Sequence, residues 1–222
     1  MCGRYSLTNT DQLRLRFDVT EPVSISADPN VAPSQELPVI LESDGTRNAV
    51  LMRWGLIPHW SKGSGGEHYS MINARAETVA TKPAYRVPFL RQRCLVPATG
   101  FFEWRKDGRR PTPHYIHLTR EPLFAFAGLY DTWMDASGTP QRTFAIVTTR
   151  PNGLVAPIHD RMPVILHRVD EGRWLDPDLH DPAVLAPLLE PYPAAEMDAY
   201  PVSTRVNNPA IKDPALLLPI AS

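Results

Sequence analysis

The chain has 222 residues, 43% of them hydrophobic and 21% charged, with a formal net charge of −1. That balance excludes wholesale disorder, and a chain this long buries roughly 70% of its unfolded surface without needing disulfide staples. Two cysteines, Cys2 and Cys94, cannot form a disulfide framework and favour a reducing, cytoplasmic setting; no apolar run approaches the roughly 20 residues that span a bilayer, so no membrane partner is expected. The opening residues MCGRYSLTNT hold no basic stretch leading into an apolar one, which predicts no secretory leader.

In chain order, residues 10–17 read as a helix with Asn9 or Thr10 as N-cap and Leu13 and Phe17 on one face. Short apolar or alternating runs at 37–41 and 49–54 read as strands, followed by a Lys62-Gly-Ser-Gly-Gly surface loop. Residues 75–91 read as partly helical. Further strands are predicted at 94–98, 101–105, 114–118, 123–130, 143–148 and 162–166. A short apolar helix at 182–189 is interrupted by Pro187, and a proline-rich tail wraps the surface irregularly. Strands dominate without regular βαβ alternation. The pattern predicts a β-rich α+β fold, one domain over 1–222, with a curved sheet or open β-barrel-like core and a few peripheral helices.

The near-zero net charge hides an asymmetry. Residues 1–169 carry 20 Lys+Arg against 15 Asp+Glu, and residues 170–222 carry 3 against 9. The basic excess is densest between Asn73 and Arg110, including Arg75, Arg91, Arg93 and Arg105, and could track a phosphate backbone. Arginine outnumbers lysine 19 to 4, which suits phosphate and base recognition but equally reflects a genome-wide taste for arginine. Charge alone leaves the partner open.

Cys2 is the most informative residue. Loss of Met1 would leave it with a free α-amine and a thiol on adjacent carbons, two nucleophiles that titrate within reach of neutrality. Toward an aldehyde, the amine forms an imine and the thiol closes on the imine carbon to give a five-membered thiazolidine. The alternative is that Cys2 is simply the second residue of an ordinary protein. Asn73 offers a non-titrating amide that can orient a carbonyl or amine, with Arg75 two residues on and Glu77 four, although the same stretch also reads as a capped helix start. Glu103, in an aromatic strand, faces desolvation that would lift its pKa toward general acid/base use unless it lies on a solvated face. His159 sits beside Arg161 in a turn bounded by Pro157 and Pro163, a proton shuttle next to a phosphate binder. His114 and His117 would point to opposite faces of a strand, and no metal or cofactor is expected. Cys94 reads as a buried structural thiol. No Gly-rich phosphate loop, GxSxG elbow or HExxH is present.

Taken together, Met1-Cys-Gly-Arg-Tyr5, Trp54-Gly-Leu-Ile-Pro-His-Trp60, Asn73-Ala-Arg-Ala-Glu-Thr78, Cys94-Leu-Val-Pro-Ala-Thr-Gly-Phe-Phe-Glu-Trp104, His159-Asp-Arg-Met-Pro-Val-Ile-Leu166 and Val206-Asn-Asn-Pro209 resemble the SOS response-associated peptidase (SRAP) family of abasic-site processing proteins. The one departure is Phe102, where the family often has Tyr. The resemblance implies binding of single-stranded DNA at an abasic site and a covalent crosslink through the N-terminal cysteine, with self-release of Met1 and lyase character. Carried onto this chain, it implies Cys2 as nucleophile, Asn73 positioning amine and sugar, Glu103 as acid/base and His159 helping to open the sugar. Arg4, Arg75 and Arg161 become the implied phosphate contacts, and Trp60 and Trp104 the apolar walls or stacking platforms of a monomer. Two rival readings remain: an N-terminal-nucleophile amidohydrolase using Cys2 on an amide, and a non-enzymatic single-strand-binding module.

Overall fold

The computed structural model describes residues 2–21, 23–62, 71–106 and 110–220. Met1 and most of the Lys62-Gly-Ser-Gly-Gly loop lie outside them. The elements are β1 (Tyr5–Leu7), α1 (Leu13–Phe17), β2 (Asp28–Val31), β3 (Glu36–Ser43), β4 (Thr46–Trp54), β5 (Asn73–Arg75), α2 (Arg86–Arg91), β6 (Arg93–Ala98), β7 (Gly100–Arg105), β8 (Thr112–Leu118), β9 (Phe124–Met134), β10 (Pro140–Thr149), β11 (Met162–Pro163), α3 (Glu171–Leu175), α4 (Pro182–Leu185) and β12 (Met197–Pro201).

Two hairpins build the core. Asp44 and Gly45 both adopt positive φ, 51° and 70°, as a two-residue hairpin turn demands, and set Ser43 opposite Thr46 between β3 and β4. In the second, the Asp135 carboxylate accepts from the backbone N–H of Ser137 and Thr139 and closes the β9–β10 turn. β9 also pairs with β6, β6 with β3, and β4 runs parallel to β10 with Trp54 opposite Phe144. Five strands therefore close into a barrel, β10-β4-β3-β6-β9, and β5 and β11 flank the far end of β10. Closure removes the free edges that the expected open barrel would leave. A second, five-stranded sheet runs β12-β8-β7-β1-β2, and β6 passes directly into β7, so one continuous stretch links the barrel to this sheet.

Gly100 permits that junction, and Gly128 the close approach of β9 to β6 inside the barrel. A Cβ on Gly100 would collide with the Tyr115 ring, whose hydroxyl bonds Ser6 Oγ at 2.9 Å and donates to Thr99 O at 3.1 Å; a Cβ on Gly128 would stand 2.6 Å from Cys94 Sγ. Gly100→Ala is therefore expected to destabilise the protein by about 2 kcal/mol or more, since both groups are buried and hydrogen-bonded, measurable as a lowered urea midpoint with an unchanged slope.

Several sequence expectations are corrected. The segment 10–17 starts as a 3₁₀ turn, Thr10–Gln12, and Asn9 does not cap it; its side chain instead accepts from Thr8 Oγ1. Only Arg86–Arg91 of the 75–91 stretch is helical, and Asn73–Arg75 is a strand on β10 rather than a helix start. At 162–166 only Met162–Pro163 pairs with β10; beyond it, Ile165 bridges to Phe126. Pro187 turns the expected 182–189 helix into an α turn followed by 3₁₀, Ala186–Leu189, with Asp181 as the cap. β1, β2 and β12 escaped the sequence reading because runs of three to five residues, interrupted by proline in β2 and β12, carry no clear period. Arg93 is no phosphate-tracking residue: it is 6% exposed, and its guanidinium donates to the carbonyls of Phe89, Leu90, Trp174, Asp176 and Leu179. No described helix is long and apolar enough to cross a membrane.

Candidate functional site

Cys2 enters the molecule at the start of β1. Phe102 N–H donates to Arg4 O at 3.0 Å, continuing the β1–β7 ladder, and the Cys2 thiol donates to the same carbonyl at 3.9 Å. This lays the first residues of the chain along β7, where Glu103 lies. Cys2 is fully buried, and burial pushes its thiol up, with the nearby Glu103 carboxylate adding to the effect. Asn73, at the head of β5, donates from Nδ2 to Cys2 O at 2.9 Å; Tyr85 fixes the strand by donating its hydroxyl to Asn73 O at 2.9 Å. Asn73 Oδ1 is buried and has no hydrogen-bond partner among the described residues, so one acceptor at the cysteine is uncommitted.

Glu103 is 2% exposed, opposite His114 in the β7–β8 ladder. Burial lifts its carboxyl to about 7, the range in which one group can both give and take a proton near neutrality. His159 Nε2 faces Glu103 Oε2 at 3.7 Å, and burial holds the imidazole below its ordinary value against the pull of Asp160. Four side chains, from the segment that leads into β1, from β5, from β7 and from the turn before β11, thus converge: Cys2, Asn73, Glu103 and His159. A cleft of about 340 Å³ opens on the histidine side, lined by Trp104, Arg105, Lys106, Pro157, His159 and Asp160 among others.

The implied DNA contacts divide. Arg75 is exposed at the end of β5. Trp104 lines the cleft and is held by a 2.8 Å bond from Nε1 to Asn207 Oδ1. Trp60 is 50% exposed on a loop that the β9–β10 hairpin grips: Thr143 Oγ1 accepts from Ile57 N, Asp131 from His59 N, and Trp133 Nε1 donates to Ser61 O. Arg4 and Arg161 are committed within the protein. Arg4 Nη1 donates to Asn30 Oδ1 and Val206 O, tying β1 to the C-terminal tail; Arg161 forks onto Glu77. The sequence assigned no role to Tyr85 or Asn30, and Asn207 stood out only within Val206-Asn-Asn-Pro209. Their signals were faint, since a lone Tyr or Asn gives no spacing to read. Among the described residues no group of three or more His, Cys, Asp or Glu could hold a metal ion.

A family model described as SOS response associated peptidase (SRAP) matches residues 1–209. The chain belongs to the SRAP family. Within it, the chain is 44% identical to the abasic site processing protein YoqW of Bacillus subtilis over 98% of this chain and 99% of that one. It is 30% identical to the abasic site processing protein HMCES of Gallus gallus, over 86% of this chain and 66% of that one. The fold is similar to that of a protein from Bacteroides thetaiotaomicron solved by X-ray crystallography, with a TM-score of 0.91, 34% identity and 99% of this chain covered. The segments that open at Met1, Asn73, Cys94 and His159 are the ones that meet at the site, whereas Trp54–Trp60 is held apart from it by the β9–β10 hairpin. Val206-Asn-Asn-Pro209, far from the others in sequence, supplies the carbonyl that anchors Arg4 and the side chain that anchors Trp104.

Proposed function

We propose that this SRAP-family protein processes abasic sites in DNA as part of the response to DNA damage, and that it does so by capturing the lesion covalently through Cys2. The observation that supports this most directly is the convergence of an aminothiol residue, a fixed amide and a carboxyl–imidazole pair: Asn73 holds Cys2 at 2.9 Å, and Glu103 and His159 stand 3.7 Å apart beside it. An abasic deoxyribose equilibrates between a closed hemiacetal and an open aldehyde, and an aldehyde is what an aminothiol traps.

The steps follow from the protonation states. Hydrolysis of the Met1–Cys2 bond frees the α-amine. Ring opening moves a proton from the C1 hydroxyl to the ring oxygen, a transfer that His159 Nε2 and Glu103 perform between them. The amine attacks C1, and the resulting carbinolamine loses water to give an imine, with Glu103 protonating the departing hydroxyl. Because burial keeps the Cys2 thiol protonated near neutrality, nitrogen reacts before sulfur. Sulfur then bonds to C1 as the thiol proton passes to the nitrogen, which closes the thiazolidine with one water lost overall. Without the sulfur, the imine persists and β-elimination of the 3′ phosphate follows, the chemical basis of lyase character. The exposed Arg75 and the cleft beside Trp104 take the strand, and a single strand is preferred because a duplex stacks the neighbouring bases away from aromatic platforms.

The test mixes protein shown by mass to lack Met1 with an abasic single-stranded oligonucleotide, the abasic duplex and an intact strand. A heat-stable, slow-migrating band on a denaturing gel is expected for the abasic single strand and not for the intact one. Equal labelling of intact DNA, or none of any, overturns the reading.

A further inference from the structure

Glu77 stands four residues after Asn73 and takes no part in the chemistry above, yet its carboxylate receives both arms of Arg161. Nη1 donates to Oε1 at 2.6 Å and Nη2 to Oε2 at 2.9 Å, and Nη2 also donates to Thr148 O at 2.6 Å. Thr148 O accepts from Ala76 N–H as well, so one carbonyl near the end of β10 anchors both partners of the pair. Two parallel bonds fix a planar guanidinium in position and orientation, as a single contact does not. Arg161 is 14% exposed at its side chain and Glu77 is 49% exposed, so the fork reaches from a nearly buried arginine to the surface.

Arg161 in turn acts on the histidine. Its backbone N–H donates to His159 Nδ1 at 3.0 Å. A ring nitrogen that accepts carries no hydrogen, so the neutral imidazole bears its hydrogen on Nε2, the atom facing Glu103 Oε2 at 3.7 Å. The Asp160 carboxylate lies 3.0 Å from the same Nδ1 and engages it only when that nitrogen is protonated; Asp160 is 88% exposed, whereas burial favours the neutral ring. Which hydrogen position prevails is decided by whether the 159–161 turn keeps its shape.

We propose that Glu77 is a positioning residue for His159: by fixing the Arg161 fork it holds the 159–161 turn in the geometry that leaves Nδ1 an acceptor and aims Nε2–H at Glu103. The kinetic consequence rests on the abasic-site reading, and the geometric one does not.

The experiment compares wild type, Glu77→Gln and Glu77→Asp. It records ¹⁵N spectra of the His159 ring, the maximal single-turnover rate of adduct formation and the concentration of abasic strand that half-saturates that rate. Wild type is expected to show an unprotonated Nδ1 and a protonated Nε2. Glu77→Gln, which places an amide donor against the guanidinium, should show a mixture of the two tautomers. Its maximal rate should fall about tenfold, a fraction of what a general acid–base group supplies, while half-saturation stays the same or moves to lower concentration. Glu77→Asp, which keeps the charge, should recover part of both. Nitrogen shifts identical to wild type in Glu77→Gln overturn the proposal, as does a change confined to half-saturation. If Glu77→Gln does not fold, Glu77→Asp alone decides, through intermediate shifts and rate or through wild-type values of both. If wild type forms no adduct, the abasic-site reading fails, and the nitrogen shifts still decide the role of Glu77.

Discussion

Cys2→Ala protein is expected to form no heat-stable adduct with an abasic single strand. In variant protein shown by mass to lack Met1, the change leaves the α-amine, so the imine still forms, but no sulfur is present to close the ring. The product then partitions between hydrolysis back to aldehyde and β-elimination, and strand cleavage at the lesion should equal or exceed that of wild type. Trapping with borohydride should restore a covalent band, because reduction fixes the imine. Cys94→Ala serves as the contrast: Cys94 is fully buried in the barrel with its thiol pushed up by burial, so that variant should lose stability through a small cavity and keep the adduct. If both variants crosslink like wild type, sulfur has no part in the chemistry.

Glu103→Gln should lower the adduct rate by about 10²-fold or more, the usual contribution of a placed general acid–base group. The same substitution should stabilise the protein, and only above a defined pH. In the unfolded chain a glutamate carboxyl titrates at 4.5, and burial lifts Glu103 to about 7. Below 4.5 it is protonated in both states and costs nothing. As pH rises from 4.5 to 7 the unfolded state gives up the proton while the folded state retains it, so stability declines, by about 3 kcal/mol across the window at 1.36 kcal/mol per unit. Gln has no such window. Urea denaturation at pH 4 and pH 8 should show wild type and variant nearly equal at the lower pH and the variant ahead at the higher. A variant less stable than wild type at pH 8 would mean that the Glu103 charge is paid for locally and is not strained. Loss of rate together with gain of stability marks a residue kept for chemistry rather than for folding.

The sequence revealed the strands of the barrel well because their runs are long and bounded by turn chemistry, as at Asp44-Gly45 between β3 and β4. The closure of the barrel was not legible, since it depends on the parallel pairing of β4 with β10, which are about 90 residues apart in the chain and leave no local mark. At the site, Cys2, Asn73, Glu103 and His159 could be named from residue chemistry and from family resemblance, and the structure gathers all four. What the basic stretch would do could not be read from charge. Within that stretch Arg93 clamps five carbonyls inside the fold while Arg75 faces outward, and beyond it Arg161 is locked to Glu77. An arginine's role is set by which carbonyls and carboxylates the fold brings to it, and several of those partners, Trp174, Asp176 and Leu179 for Arg93 and Glu77 for Arg161, are remote in sequence.

Attachment of the lesion to the nitrogen and sulfur of Cys2 is the step on which the proposed function stands. It is tested most directly by digesting the gel-purified adduct with protease and nuclease and sequencing the remaining peptide by mass spectrometry, without any reducing agent. A deoxyribose remnant is expected on the peptide beginning Cys2-Gly-Arg, attached with loss of one water and leaving no free thiol to alkylate. A remnant on an internal lysine or on Cys94, or an adduct on a peptide that still carries Met1, would contradict it.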